Sequence, residues 1–326
     1  MKAWRIEKTG AIEGLAIGEI ETPAPQAGEV LLEVLACGIN FSDLLMAAGR
    51  YQVRPPLPFV PGQEIAGRIV AVAPGSARRP GERVAAKVHW GGFAELALAK
   101  ENMLITLPQG MGYAAGATLP VVWPTAWIAL FERARLVAGE SLLVHAAAGG
   151  VGLAAVQLAR AAGAIVIAGV GDDAKAGHAL AAGARHVVVT RTSDWMQKVS
   201  DLTDGRGPDV VFDPVGGDLA EPSLNRIARN GRYLVVGFAG GAIPRFAANR
   251  LLLKNASALG VYWTHEQDGP LIARALTDIL GLWSAGKVRI EASRAYAFDT
   301  LKSALADLAA RRTTGKCVIE LRKGKA

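Results

Sequence analysis

The stretch with the clearest chemistry in this 326-residue chain is LLVHAAAGGVGLAAVQLARAAGAIVIAG, residues 142–169. An apolar run over 141–146 ends at Ala146. Gly149 and Gly152 follow at the spacing of a dinucleotide fingerprint, with alanine in its first position. Glycine at 149 lets a pyrophosphate approach the backbone, and glycine at 152 lets a helix pack on the strand. The free N–H groups of Gly150 and Val151 at the helix start favour anionic oxygen. The triplet lies between a strand and a helix and leads into a second strand, which is the context that makes such a motif specific. That second strand closes Ala168-Gly169-Val170-Gly171, with no carboxylate to hold a ribose 2′-hydroxyl. The small residues leave room for a 2′-phosphate, and Lys175 and Arg191 are nearby cations suited to hold it. Asp172 and Asp173 follow at once and would bond a ribose or repel a phosphate; Lys175 could equally be a solvent-facing helix residue. The balance favours NADPH over NADH.

A second candidate is FVPGQEIAG, residues 59–67. Gly62-Gln63-Glu64 differs by one residue from Gly-His-Glu, a triplet that can offer a metal its histidine. Neither His89 nor His145 has a plausible set of partner ligands, and His145, in the strand before the phosphate loop, reads as a satisfied core histidine. Cys37 and Cys317 are the only cysteines, too few for a disulfide framework or a thiolate zinc cage, and both read as buried free thiols.

The elements that must position these residues fall into two kinds. The first third is β-rich: Val30–Ala36 and Ile65–Val72 read as strands bounded by Gly and Pro. RPPLPFVPG (54–62) has four prolines in nine residues and is a stiff loop. From about residue 120 the character changes. A helix over Pro124–Arg135 precedes strands at 141–146, 164–168, 186–189, 208–212 and 232–236, which alternate with helices at 151–162, 174–182, 195–202 and 219–229. This is the pattern of a parallel sheet with helices on both faces. A helix over 300–311 and a strand over 316–321 close the chain. With 51% hydrophobic residues, sizeable cores can be buried. No apolar run is long enough for a membrane span and the N-terminus lacks a signal-peptide core, so a cytoplasmic protein is expected. The net charge of +7 is scattered, apart from Arg78-Arg79 and the tail Leu321-Arg322-Lys323-Gly324-Lys325. Nucleic acid is therefore not the expected partner; a phosphorylated cofactor accounts for the surplus equally well.

The runs HAAAGGVGLAAVQLAR, CGINFSDLLMAAGRY and DPVGG (213–217) resemble, in the same order and over essentially the whole chain, the quinone oxidoreductase branch of the medium-chain dehydrogenase/reductase superfamily. The resemblance implies an α/β fold in which a Rossmann NADP-binding domain (121–263) is inserted in a GroES-like β-rich catalytic domain (1–120), with a C-terminal segment (264–326) returning to the catalytic domain. It implies an active site in the cleft, NADPH-dependent reduction of quinones or other α,β-unsaturated carbonyls, and a homodimer or homotetramer, with an edge strand near 256–262 pairing across a dimer. Zinc-dependent relatives carry a cysteine where Asn40 stands and a histidine where Gln63 stands. They also have a lobe of four cysteines, where WGGFAELALAKENMLITLP (90–108) has none. The enzyme is therefore read as metal-free, with no zinc.

A conjugated acceptor suits such a site, because hydride can add at the β-carbon while charge spreads onto an oxygen that needs only hydrogen-bond donors and a proton source. The candidates are Asn40, which donates to that oxygen or ties down the following turn; Tyr51, which donates or walls the pocket; and Gln63, which bonds substrate, Asn40 or the nicotinamide carboxamide. Asp43 is expected to order its own loop. By resemblance, Thr125 faces the nicotinamide, Gly237-Phe238-Ala239 lines it with Val261 alongside, and Tyr262 and Trp263 shape the pocket. Lys316 is placed near the cofactor, or is an ordinary strand-edge lysine. Two competing readings stand beside the quinone reductase. One is an enoyl-thioester reductase, whose anionic carrier would meet Arg50, Arg54, Arg78 and Arg79. The other is a nucleotide-binding protein with an RNA-binding or structural role.

Overall fold

A computed structural model of the chain describes residues 1–10 and 12–321; the basic tail at 322–325 lies outside them. Two compact units are present, Met1–Val121 together with the chain from Ile290 onward, and Val122–Arg289.

In the first unit β1 (Lys2–Ile6) and β2 (Leu15–Glu19) pair as an antiparallel ribbon. Next come β3 (Glu29–Gly38), α1 (Phe41–Ala47), β4 (Glu64–Val72), β5 (Arg83–Lys87), β6 (Leu96–Lys100), β7 (Leu104–Thr106) and the single turn α2 (Tyr113–Gly116). The strands β3 and β4 that were expected from the apolar runs are present and pair antiparallel. The proline-rich stretch between α1 and β4 forms no helix, since its rings remove donors and fix φ.

The second unit opens with α3 (Val122–Trp127), which widens into a π-helical stretch at Ile128–Arg133. The predicted alternation follows: β8 (Ser141–Val144), α4 (Gly150–Ala161), β9 (Ile165–Val170), α5 (Ala176–Ala182), β10 (His186–Val189), α6 (Trp195–Asp201), β11 (Val210–Asp213), α7 (Ala220–Arg226) and β12 (Arg232–Val235); beyond it come α8 (Ala248–Lys254), the edge strand β13 (Ser257–Gly260) and α9 (His265–Ser284). The six strands are parallel in the order β10-β9-β8-β11-β12-β13. Strand order reverses at β8, and in open sheets of this kind ligands bind beyond the carboxyl ends of the strands at that reversal. Every residue of β8 and β11 is buried, as a sheet covered on both faces requires.

The chain returns to the first unit after Arg289, later than the expected 264. The reason is α9, whose Ile272, Ala275 and Ile279 are buried and which packs with α3 of its own unit. The return comprises β14 (Arg294–Ala297), α10 (Leu301–Ala309) and β15 (Cys317–Glu320). β15 pairs parallel with β14 and antiparallel with β3. Tyr296, Leu301, Leu305 and Ile319 thereby complete the core that holds Trp4, Leu32, Ile65 and Phe93, and the Trp4 indole N–H donates to the Phe298 carbonyl at 2.8 Å. Among the described residues, no helix is long and apolar enough to cross a membrane.

Candidate active site

β3 lies between β4 and β15, and the register sets Gly38 opposite Glu64 on one side and Val318 on the other. Three strand ends thus bring Asn40, Gln63-Glu64 and Lys316 together. Asn40 caps α1, and its backbone N–H donates to Asp43 Oδ2 at 2.7 Å. Its side chain is engaged elsewhere: Oδ1 accepts from Lys316 Nζ at 2.6 Å and Nδ2 donates to Glu64 Oε1 at 2.8 Å. Lys316 Nζ also donates to the Ile39 carbonyl at 2.8 Å and pairs with Glu64 Oε1. The other Glu64 oxygen accepts the Val121 N–H at 3.1 Å. Lys316 is only 7% exposed and Glu64 is fully buried, so removing either charge would strand the other. Glycine is required at 38, because a Cβ there would lie 2.5 Å from both Glu64 Oε1 and the Ala117 carbonyl.

An ammonium has three N–H donors, and those of Lys316 meet three oxygens of the protein. Lys316 is therefore not an exposed strand-edge lysine; it is the cation of a buried ion pair. Asn40 keeps one Nδ2–H without a protein partner among the described residues. Gln63 Oε1 accepts from the Ser42 hydroxyl, which leaves the two N–H groups of Nε2. Both amides are nearly buried. Tyr51 stands half-buried against the core of this unit. Asp43 orders its own loop, as expected, but at a cost. Burial pushes its carboxyl up to about 7, and its Oδ1 has no partner. Burial likewise pushes the Cys37 thiol well above its ordinary range, so it is a core thiol. Among the described residues, no three His, Cys, Asp or Glu side chains come together where they could hold a metal ion.

In the second unit the phosphate loop has the geometry its spacing predicts. Gly149 is extended (φ −87°, ψ 171°) and caps α4, whose first bonded amide is Leu153 N–H to Gly149 O at 2.8 Å. The N–H groups of Gly150, Val151 and Gly152 are thus the unpaired donors of a helix start. A Cβ on Gly152 would lie 2.3 Å from the Ala146 carbonyl, whereas one on Gly149 would meet only that carbonyl, at 3.2 Å. Gly152 is therefore a packing glycine and Gly149 leaves an open cradle, which is what a pyrophosphate needs. Ala146 itself sits at φ 48°, a left-handed conformation that explains why the first fingerprint position favours glycine. At the end of β9, the Arg191 guanidinium nitrogen Nε is 3.9 Å from where a Gly171 Cβ would be, and Thr190 anchors that corner through N–H and hydroxyl bonds to the Val170 carbonyl. Lys175 ends the short 3₁₀ turn that follows. Arg191 and Lys175 make this strand end basic, while Asp172, half-buried beside it with Oδ1 unpartnered, is a carboxylate at the same corner. His145 departs from expectation. It is fully buried and its Nε2 bonds Ser223 Oγ at 2.7 Å, yet Nδ1 has no partner, and burial lowers its pKa so that the ring is neutral.

The loops beyond β11 and β12 are laced together. Asp213 accepts from the Val215 and Gly216 N–H groups at 2.7 and 3.0 Å and from the Tyr233 hydroxyl. Ala239 and Gly240 donate to the Pro214 and Val215 carbonyls at 3.1 and 2.7 Å. Gly237, Phe238 and Ala239 are held half-buried at the carboxyl end of the sheet. Val261 N–H donates to the Val235 carbonyl at 3.0 Å, and the Trp263 indole donates to Thr125 Oγ1 at 3.0 Å. Tyr262, expected in a pocket wall, is 69% exposed. The bracing by Tyr233 and Ser42 and the role of Glu64 were not read from the sequence, although a glutamate opening the apolar strand EIAGRIVAV was a signal that something must neutralise it.

A Rossmann-like parallel sheet in one unit and a β-rich fold in the other are the two parts of a medium-chain type oxidoreductase. Residues 26–109 match the alcohol dehydrogenase GroES-like domain and residues 150–278 match the zinc-binding dehydrogenase family. The chain is 37% identical over 313 residues to quinone oxidoreductase-like protein 2 of Bos taurus, covering 94% of this chain and 89% of that one. Its structure is similar to that of Escherichia coli quinone oxidoreductase complexed with NADPH (TM-score 0.91, 28% identity, 98% of this chain and all of that one). It is also similar to CurK enoyl reductase (TM-score 0.87, 27% identity, 98% of this chain and 99% of that one). The chain belongs to the zinc-independent quinone oxidoreductase branch of the medium-chain dehydrogenase/reductase superfamily.

Proposed function

We propose that the chain is an NADPH-dependent reductase of quinones and other α,β-unsaturated carbonyls. The observation that carries this reading is the pair of unengaged amide donors, Asn40 Nδ2–H and the N–H groups of Gln63, held beside an internally neutralised ion pair. When bound, NADPH supplies the hydride. The Gly150–Gly152 amides hold the pyrophosphate, Arg191 and Lys175 the 2′-phosphate, and the 237–239 loop with Thr125 and Val261 the nicotinamide. Asn40 and Gln63 donate to the acceptor oxygen as negative charge grows on it, a stabilisation that one well-placed donor supplies at roughly 10²–10³-fold in rate. Neutral amides suit an enolate or quinone oxygen that needs no strong acid; solvent or Tyr51 delivers the proton. The exposed edge strand β13, with Leu252 and Leu253 of the preceding helix also exposed, suits pairing with a second copy as a homodimer.

An enoyl-thioester substrate is the second reading, supported by the likeness to CurK enoyl reductase. Of the four arginines that could meet an anionic carrier, Arg78 is engaged by Glu82 at 3.2 Å, while Arg50 and Arg54 are exposed. Steady-state kinetics with simple quinones, enones and crotonyl-CoA, each with NADPH and with NADH, tests both. A kcat/KM highest for quinones or enones with NADPH supports the first reading, and one highest for crotonyl-CoA supports the second. NADPH binding with no turnover of any acceptor refutes both.

A further inference from the structure

The Lys316–Glu64–Asn40 cluster has a geometry that goes further than charge neutralisation. Nζ touches Oδ1, Nδ2 touches Oε1, and Oε1 touches Nζ, so the three side chains close a ring around the amide group of Asn40. An asparagine amide is nearly symmetric in shape, and one held at a single end can turn over at little cost. Here a half-turn would set the NH₂ group against the ammonium and the carbonyl against the carboxylate, and both contacts would be repulsive. Glu64 cannot swing away, because Oε2 is held by the Val121 N–H and its stem is wedged against Gly38. Lys316 cannot either, since the Ile39 carbonyl holds its third proton.

We infer that Lys316, acting with Glu64, is a positioning residue. It fixes which face of the Asn40 amide is presented, so that the one remaining Nδ2–H is always the group offered to the acceptor oxygen. The inference rests on the reading of Asn40 given above. The ring carries one positive and one negative charge, so it orients a neutral donor without adding net charge where the oxyanion develops. The same ring explains why the lysine is buried so far from its ordinary surface habitat.

Removing one charge alone risks misfolding, so the test is the double variant K316M/E64L, which replaces the ion pair by apolar side chains of similar length. Three measurements are made on wild type, the double variant, N40A and the triple variant. NADPH affinity, by fluorescence titration, stays within twofold in all four. The kcat for the acceptor falls at least tenfold in N40A and in the double variant with KM little changed, and the triple variant is no slower than the double. Side-chain amide NMR of protein labelled at its six asparagines shows one Asn40 proton shifted downfield by its carboxylate partner, and that shift is lost in the double variant. A folded double variant that keeps wild-type kcat while N40A is slow overturns the role of Lys316 and leaves that of Asn40 standing. An N40A variant with wild-type kcat overturns both. Equal further loss on adding N40A to the double variant shows independent action and also overturns the proposal.

Discussion

Replacing Gly152 by alanine tests the phosphate loop at the position where geometry alone sets the result. The new Cβ would lie 2.3 Å from the Ala146 carbonyl oxygen and 2.8 Å from Ala147 Cα, both backbone atoms, when real Cβ contacts essentially never fall below 3.0 Å. The start of α4 must therefore retreat from the loop by at least 0.7 Å, the shortfall of that first contact. A phosphate bond of about 2.9 Å from a helix N–H would stretch beyond about 3.5 Å, outside hydrogen-bond range. Each charge-assisted bond is worth about 1.5–3 kcal/mol, so losing two weakens NADPH by about 3–6 kcal/mol, more than 10²-fold in Kd. The same overpacking costs the fold about 1–3 kcal/mol. Gly149→Ala separates the two effects. Its Cβ meets a single atom at 3.2 Å, so stability should change little, while the methyl group occupies the cradle and binding falls. The assays are fluorescence titration with NADPH and urea denaturation without it. G152A protein that binds NADPH with wild-type affinity would refute the packing argument, and G149A protein that does so would refute the cradle.

Other positions give sharp expectations. R191A and K175A should each weaken NADPH tenfold or more and leave NADH nearly unchanged, because only the former carries the 2′-phosphate; equal effects in titrations with both cofactors would remove that role. Asn40→Ala should lower kcat roughly 10²–10³-fold with NADPH affinity intact, the range for one oxyanion donor, and unchanged turnover would move the donor elsewhere. Asp43 gives a pH signature. Burial raises its folded pKa from 3.8 to about 7, so the stability it permits is fully present below about 4 and is lost as pH rises through about 7. The slope approaches about 1.4 kcal/mol per pH unit between those limits. D43N protein, measured by denaturant unfolding from pH 4 to 8, should lack this slope, and an identical slope would place the titrating group elsewhere. Ala146→Gly should stabilise the apo protein by up to about 1 kcal/mol by relieving the left-handed alanine, and a lower Tm would contradict that.

What could be read ahead of the structure divides by range along the chain. The strands of the second unit are continuous apolar runs between turn residues, and the Gly149–Gly152 loop lies within one strand-turn-helix, so local pattern sufficed for both. α9 escaped because Pro270 interrupts its pattern and Asp268 leaves helical geometry (φ −118°), so the unit boundary was placed too early. Asn40, Gln63 and Glu64 lie within 25 positions of one another, and two of these were read as amides of the site. Their partner stands 276 residues beyond Asn40, and nothing local marks Lys316 as buried. The register of β15 against β3 is what carries it there, and register is a property of the closed sheet. One constraint did bear on it in advance. A glutamate opening a strand as apolar as EIAGRIVAV must either reach solvent or find a cation, and the only lysine opening an apolar strand at the far end of the chain is the one before CVIEL. Pairing strand-mouth charges of opposite sign is thus a physical argument for joining the last strand to the first sheet, whereas the place of Asn40 between the two charges follows only from the closed structure.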